Sequence, residues 1–157
     1  SKKKINEVDI LFGNTIIQNK FFNHNSKAKN FTKETFLMPF CHQSSLVRRN
    51  LLMKFRFDLK YKISSDFNFF INSYYKSYSF LNLNLIISKV TSGGLSDTNR
   101  KKVFQENMNI IRKYGYDIRY FIILYVYIWF DFLKNFTKFL LPNYLNSFIH
   151  SIKYGKK

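Results

Sequence analysis

Three short stretches carry residue types that could do chemistry: Cys41-His42-Gln43, the Asp66 of "KISSDFNFF", and Gly93-Gly94 with Ser96 and Asp97 in "SGGLSDTNR". Asp66 stands out because the chain has only nine acidic residues and sets this one at the start of an aromatic-rich segment. A carboxylate in a first helical turn is held ionised by the helix dipole and the free backbone N–H groups, so it is available as a base near neutral pH. The same physics makes it an ordinary helix cap, and local spacing alone favours the cap. His42 and Gln43 suit hydrogen bonding to a ligand in a pocket, or simply to backbone. They do not suggest zinc, because His24 and His150 lie in unrelated segments and Cys41 is the single cysteine. A Cys41–His42 nucleophilic pair is disfavoured, since neighbours in an extended segment point to opposite faces. Gly93-Gly94 before a helix start, with Arg100 close by, can cradle a phosphate on backbone N–H groups and can equally be a turn with a Ser-Asp cap.

The elements that must position these residues follow from local patterns. "VDILFG" and "NTIIQNKFFNH" alternate β-type runs with Gly-Asn and Asn-His turn material, which predicts strands near 8–12, 15–18 and 20–23. A polar connector and a short helix or turn at 34–39 lead to a strand in "QSSLVRR" and a helical turn in "RNLLMKF". Ser64 or Ser65 caps the next helix, with apolar residues at 67, 70, 71, 74, 75 and 78. "YSFLNL" and "NLIISKVT" read as two strands interrupted by Asn82 and Asn84. After Gly93-Gly94 comes an amphipathic helix capped by Ser96 or Asp97, apolar at 103, 104, 108, 110, 111 and 114 and stopped by Gly115. This order predicts an α/β or α+β domain over 1–115.

Residues 116–157 differ in character. The run "YFIILYVYIWF" at 120–130 has no charge and is flanked by Arg119, Lys134 and Lys138. Asp131 ends it well short of the roughly 20 apolar residues a spanning helix needs. Its tyrosines, tryptophan and flanking cations suit a helical tail lying in the headgroup region of a membrane, with a buried core helix or a subunit contact as the competing reading.

Composition sets the frame. The 157 residues, 46% hydrophobic and 20% aromatic, suffice for one domain with a core. The net charge of +17 points to an anionic partner. Lys, Asn, Ile and Phe are abundant and Ala28 is the only alanine, so AT-rich coding shares the credit for the lysines. The lysines are scattered and no RNP-like, zinc-finger or basic-zipper pattern is present, which makes nucleic acid the weaker partner. One cysteine allows no disulfide framework and fits a reducing compartment. The start, "SKKKINEVDILFGN", has no apolar run of signal-peptide length and reads like the middle of a protein.

Taken together, "MPFCHQSSLVRRNLL", "FDLKYKISSDFNFFINSY" and "SGGLSDTNR" resemble the C-terminal half of family-two glycosyltransferases, the non-processive bacterial enzymes that build surface polysaccharides. The resemblance covers roughly 9–114. It implies the acceptor-binding half of a GT-A fold, and hexosyl transfer with inversion from a nucleotide-sugar donor to a glycan or lipid-linked acceptor. It also implies that Asp66 is the catalytic base, that His42 and Gln43 contact the acceptor, and that Gly93, Gly94, Ser96 and Asp97 form a loop near the donor phosphates. Mg or Mn is expected in the complete enzyme, with none bound by this chain alone. The tail would hold the enzyme on an anionic membrane surface at the cytoplasmic face of the cell membrane.

Departures accompany the likeness. No D-x-D occurs in these 157 residues, Gly13-Asn14 stands where similar sequences often have Gly-Asp, and the Q-x-x-R-W motif of processive synthases is absent. The chain is therefore expected to be a fragment lacking the nucleotide-binding half and inactive by itself. From composition alone two other readings stay open: a non-catalytic basic membrane-surface or interaction module, and a basic nucleic-acid-binding domain.

Overall fold

The computed structural model describes residues 7–19 and 23–115, together with Ile122, Tyr125, Val126, Trp129, Phe130, Phe132, Leu133 and Phe136. The chain divides into two compact units, Ser1–Gly115 and Tyr116–Lys157. The first is mixed α/β, built on a four-stranded sheet among the described residues. Strand β1 (Ile10–Gln18) pairs along nearly its whole length with β4 (Phe80–Thr91), in parallel. Its other edge is therefore shared end to end by β2 (Asn23–Ser26) and β3 (Ser45–Val47), both antiparallel to it. Parallel pairing demands a crossover, and α1 (Arg49–Lys54) and α2 (Ser65–Tyr75) lie within it. After β4 come α3 (Leu95–Thr98), α4 (Arg100–Ile111) and a 3-10 turn, Arg112–Tyr114.

Two expected strand breaks are absent, for related reasons. Gly13-Asn14 does not turn the chain but lies inside β1. A Cβ on Gly13 would sit 2.5 Å from the Leu85 carbonyl oxygen, so glycine is needed there for close approach of β4. Buried Asn14 remains satisfied because its Oδ1 accepts the Ala28 N–H at 2.9 Å. On β4, Asn82 and Asn84 mark a bulge in one strand rather than a gap between two, with register shifts opposite Phe12, Asn14 and Thr15. Asn84 takes φ 54°, a left-handed conformation that asparagine tolerates, and its N–H donates to Asn82 Oδ1 at 2.8 Å. Gly13→Ala is expected to cost about 1–3 kcal/mol through overpacking at the bulge. A lower thermal midpoint would show it, and an unchanged midpoint would contradict this close packing.

The last helix is also interrupted. Asn99, at φ −115° and ψ 42°, separates α3 from α4, so Gly94 and Asn99 take the cap positions expected for Ser96 or Asp97. Gly115 is the stop that was expected, at φ 70°. The strand expected at 20–23 falls mostly outside the described residues.

The core lies between β1 and α2. Phe12 stacks on Phe40 with centroids 4.3 Å apart, and Phe40 meets Phe70 edge-on at 5.2 Å. Phe67, Phe70 and Ile71 follow the expected stripe of α2, whereas Phe69 is buried outside it. Phe57 covers that second side at 5.4 Å. Helix α4 adds Phe104, Ile110 and Ile111, and a Tyr75–Tyr114 stack at 4.3 Å joins its end to α2.

In the second unit the eight described positions are helical and each carries an exposed apolar or aromatic side chain. At 3.6 residues per turn they fall on roughly one half of a helix surface. No helix among the described residues is long and apolar enough to cross a membrane. The rest of the apolar run, and the segment after Phe136, lie outside the described residues.

Candidate functional site

Cys41 keeps an extended backbone, at φ −70° and ψ 127°, but the extended run ends there. His42–Ser44 form a 3-10 turn just before β3. Ser44 anchors it: fully buried, its hydroxyl lies 2.8 Å from both the Gly13 and the Cys41 carbonyl oxygens. The turn is thereby fixed to the middle of β1, at the bulged part of the sheet. Cys41 turns its thiol toward Gln43, whose Oε1 accepts the S–H at 3.4 Å. His42 reaches α2.

Helix α2 brings the partner. Ser64 holds the N-cap position, as expected, but its side chain caps nothing, and its buried Oγ has no hydrogen-bond partner. Asp66 divides its two oxygens between the two roles the sequence left open. Oδ1 accepts the Phe67 N–H at 2.7 Å, and Oδ2 lies 3.1 Å from His42 Nδ1. The side chains are 27% exposed for Asp66 and 55% for His42, so the pair sits at the surface with the imidazole outermost.

A residue not singled out in the sequence sets the position of this helix start. Glu106 of α4 is buried, and its carboxylate accepts the N–H groups of Lys62, Ile63 and Ser64 at 2.9–3.0 Å. These three residues lead directly into α2. Burial acts to raise the Glu106 pKa, but the three backbone bonds outweigh it and hold the carboxyl below its usual range. The one sequence signal for Glu106 is its place on α4, four residues before Ile110 and three after Val103, on the side that faces the core.

The hydrogen bond to Asp66 raises the His42 pKa, burial opposes the rise, and the carboxylate charge adds to it. A raised histidine pKa contributes stability that is complete below the unfolded value near 6.5 and is lost as pH rises through the folded value. The arrangement is an acid–base pair with a hydrogen bond fixing the imidazole, suited to moving a proton.

The Gly93–Asp97 loop lies beyond the C-terminal end of β4, and its bonds are internal. Asp97 Oδ2 accepts the Gly93 N–H at 2.9 Å and the Asp97 N–H donates to the Gly94 carbonyl at 3.0 Å. Thus the structure joins His42 to Asp66, sets Gln43 beside Cys41 on the same turn, and satisfies the glycine loop locally. No group of three metal-ligating side chains is present among the described residues, so no step is assigned to a metal held by them. Comparison with protein-family models, curated proteins and solved structures finds no significant match.

Proposed function

We propose that residues 1–115 form the acceptor-binding part of a GT-A-type glycosyltransferase. It transfers a hexosyl group from a nucleotide sugar to a glycan or lipid-linked acceptor with inversion, in surface polysaccharide synthesis. The reading is carried by the contact of His42 with Asp66 at 3.1 Å, which brings two of the three motifs of the resemblance to one surface point. The His42–Asp66 pair supplies the basicity that lets an acceptor hydroxyl attack the anomeric carbon. His42 and Gln43, exposed on one turn, offer polar contacts to the sugar. On this reading the donor diphosphate would be held by a nucleotide-binding half, where Mg or Mn would supply charge neutralisation. The Gly93–Asp97 loop can face that diphosphate once Asp97 releases the Gly93 N–H.

The test is acceptor-dependent release of nucleoside diphosphate from a panel of nucleotide sugars by the enzyme with its nucleotide-binding half. Release that requires acceptor supports the reading. Vesicle binding with no transfer from any donor favours the non-catalytic membrane module instead.

The tail keeps the enzyme on the cytoplasmic face of the membrane, near a lipid-linked acceptor. Support comes from the eight exposed apolar positions and from the net charge of +17. Apolar burial in the headgroup region and attraction to anionic lipid act together there. Ending the chain after Gly115 should shift it from the membrane pellet to the soluble fraction. Absence of affinity of the intact chain for anionic vesicles would contradict the role, and unfolding of the shortened form would mark the tail as core.

A further inference from the structure

Resting on the sugar-transfer reading, we propose that the acceptor hydroxyl gives its proton to Nε2 of His42, with Asp66 orienting and charging the imidazole rather than receiving the proton itself. The geometry sets the order. Asp66 Oδ2 lies 3.1 Å from His42 Nδ1, so a neutral imidazole donates its Nδ1–H to the carboxylate. The lone pair is then on Nε2, the atom a base needs. Among the described residues Nε2 has no hydrogen-bond partner, and the imidazole is twice as exposed as the carboxylate, 55% against 27%. A sugar arriving from solvent meets the imidazole first. Asp66 also has Oδ1 committed to the Phe67 N–H, which locks the carboxylate in the first turn of α2.

The step balances without any further reactant. As the acceptor oxygen forms its bond to the anomeric carbon, its proton moves to His42 Nε2. The bond from that carbon to the phosphate oxygen breaks, and the nucleoside diphosphate leaves with the electron pair. The imidazolium that results is stabilised by the Asp66 charge, the division of labour used wherever a carboxylate supports a histidine base.

Few other charges bear on the pair. The turn packs against β1, which has no titratable side chain, and against β4, whose Lys89 pairs in register with Ile16, away from Gly13. Helix α2 adds only Asp66, Tyr74 and Tyr75. Asp66 is the source of both effects that raise the His42 pKa.

Two measurements decide the matter. In the ¹⁵N-labelled 157-residue chain, long-range proton–nitrogen spectra should show neutral His42 protonated at Nδ1 and bare at Nε2, the reverse of the preference of free histidine. Asp66→Asn should lower its pKa and mix the tautomers. In the enzyme with its nucleotide-binding half, His42→Gln, which keeps a donor for Asp66, should lower kcat ~10²-fold or more with KM changed less than about threefold. The rise of kcat with pH through the histidine range should vanish in that variant. An Nε2–H tautomer overturns the proposal, as does near-normal kcat in His42→Gln, or a wild-type kcat limb that stays unchanged in that variant. If no variant transfers sugar, the sugar-transfer reading fails, while the tautomer still decides which nitrogen is the basic site.

Discussion

On the proposed sugar-transfer reading, Asp66→Asn is expected to lower transfer by at least ~10²-fold while leaving donor binding in place. Asparagine keeps the size of the side chain and an oxygen able to accept the Phe67 N–H, so the first turn of α2 stays capped. What it removes is the negative charge beside His42 Nδ1, and with it the support that the proposed mechanism gives an imidazolium at the transition state. An amide there can also donate to Nδ1, placing the proton on Nε2, the wrong atom for a base. The loss should therefore fall on kcat, and a thermal midpoint close to that of the native protein would confirm that folding is intact. A folded variant with near-normal turnover would return Asp66 to helix capping alone.

Glu106→Ala should lower stability sharply. It strands three backbone N–H groups at Lys62, Ile63 and Ser64 that now share one carboxylate. Losing three hydrogen bonds to one charged acceptor costs about 3 kcal/mol or more, and a domain of this size then melts on the order of 10 °C lower. Glu106→Gln, which retains one acceptor oxygen but turns an NH₂ toward the same donors, should lie between. The sign with pH is set by the lowered folded pKa. The stabilisation is present above the unfolded value near 4.3 and fades as pH falls through the folded value, so native protein and Glu106→Gln should converge in stability in acid. A constant gap down to pH 2 would contradict the role of the carboxylate. Because residues 62–64 lead into α2, the same change should also disturb the His42–Asp66 pair.

What was legible in the sequence was local. The helix from Ser65, the stop at Gly115 and the apolar positions Phe104, Ile110 and Ile111 follow from spacing and backbone preference, which act within a few residues. Gly13-Asn14 and Asn82 with Asn84 misled because turn preference is local, whereas sheet pairing is not. The sheet needed a glycine where β4 comes close and an asparagine that tolerates a left-handed bulge. Phe69 was missed because a single helical stripe does not foresee Phe57 covering the other side. His42 and Asp66 were both identifiable, but their meeting depends on the β1–β3 pairing and on Ser44 holding the turn to Gly13. Glu106 was hidden by its type, since a glutamate within an amphipathic helix ordinarily faces water.

The most direct test of a sugar transferase working by direct displacement at the His42–Asp66 pair is the anomeric configuration of its product. With the nucleotide-binding half in place and an α-linked nucleotide sugar as donor, the proton–proton coupling at the anomeric carbon of the new linkage can be read by NMR. The account predicts a β-linked product, formed only with acceptor present and lost in Asp66→Asn. An α-linked product, or one formed equally well by Asp66→Asn, would contradict it.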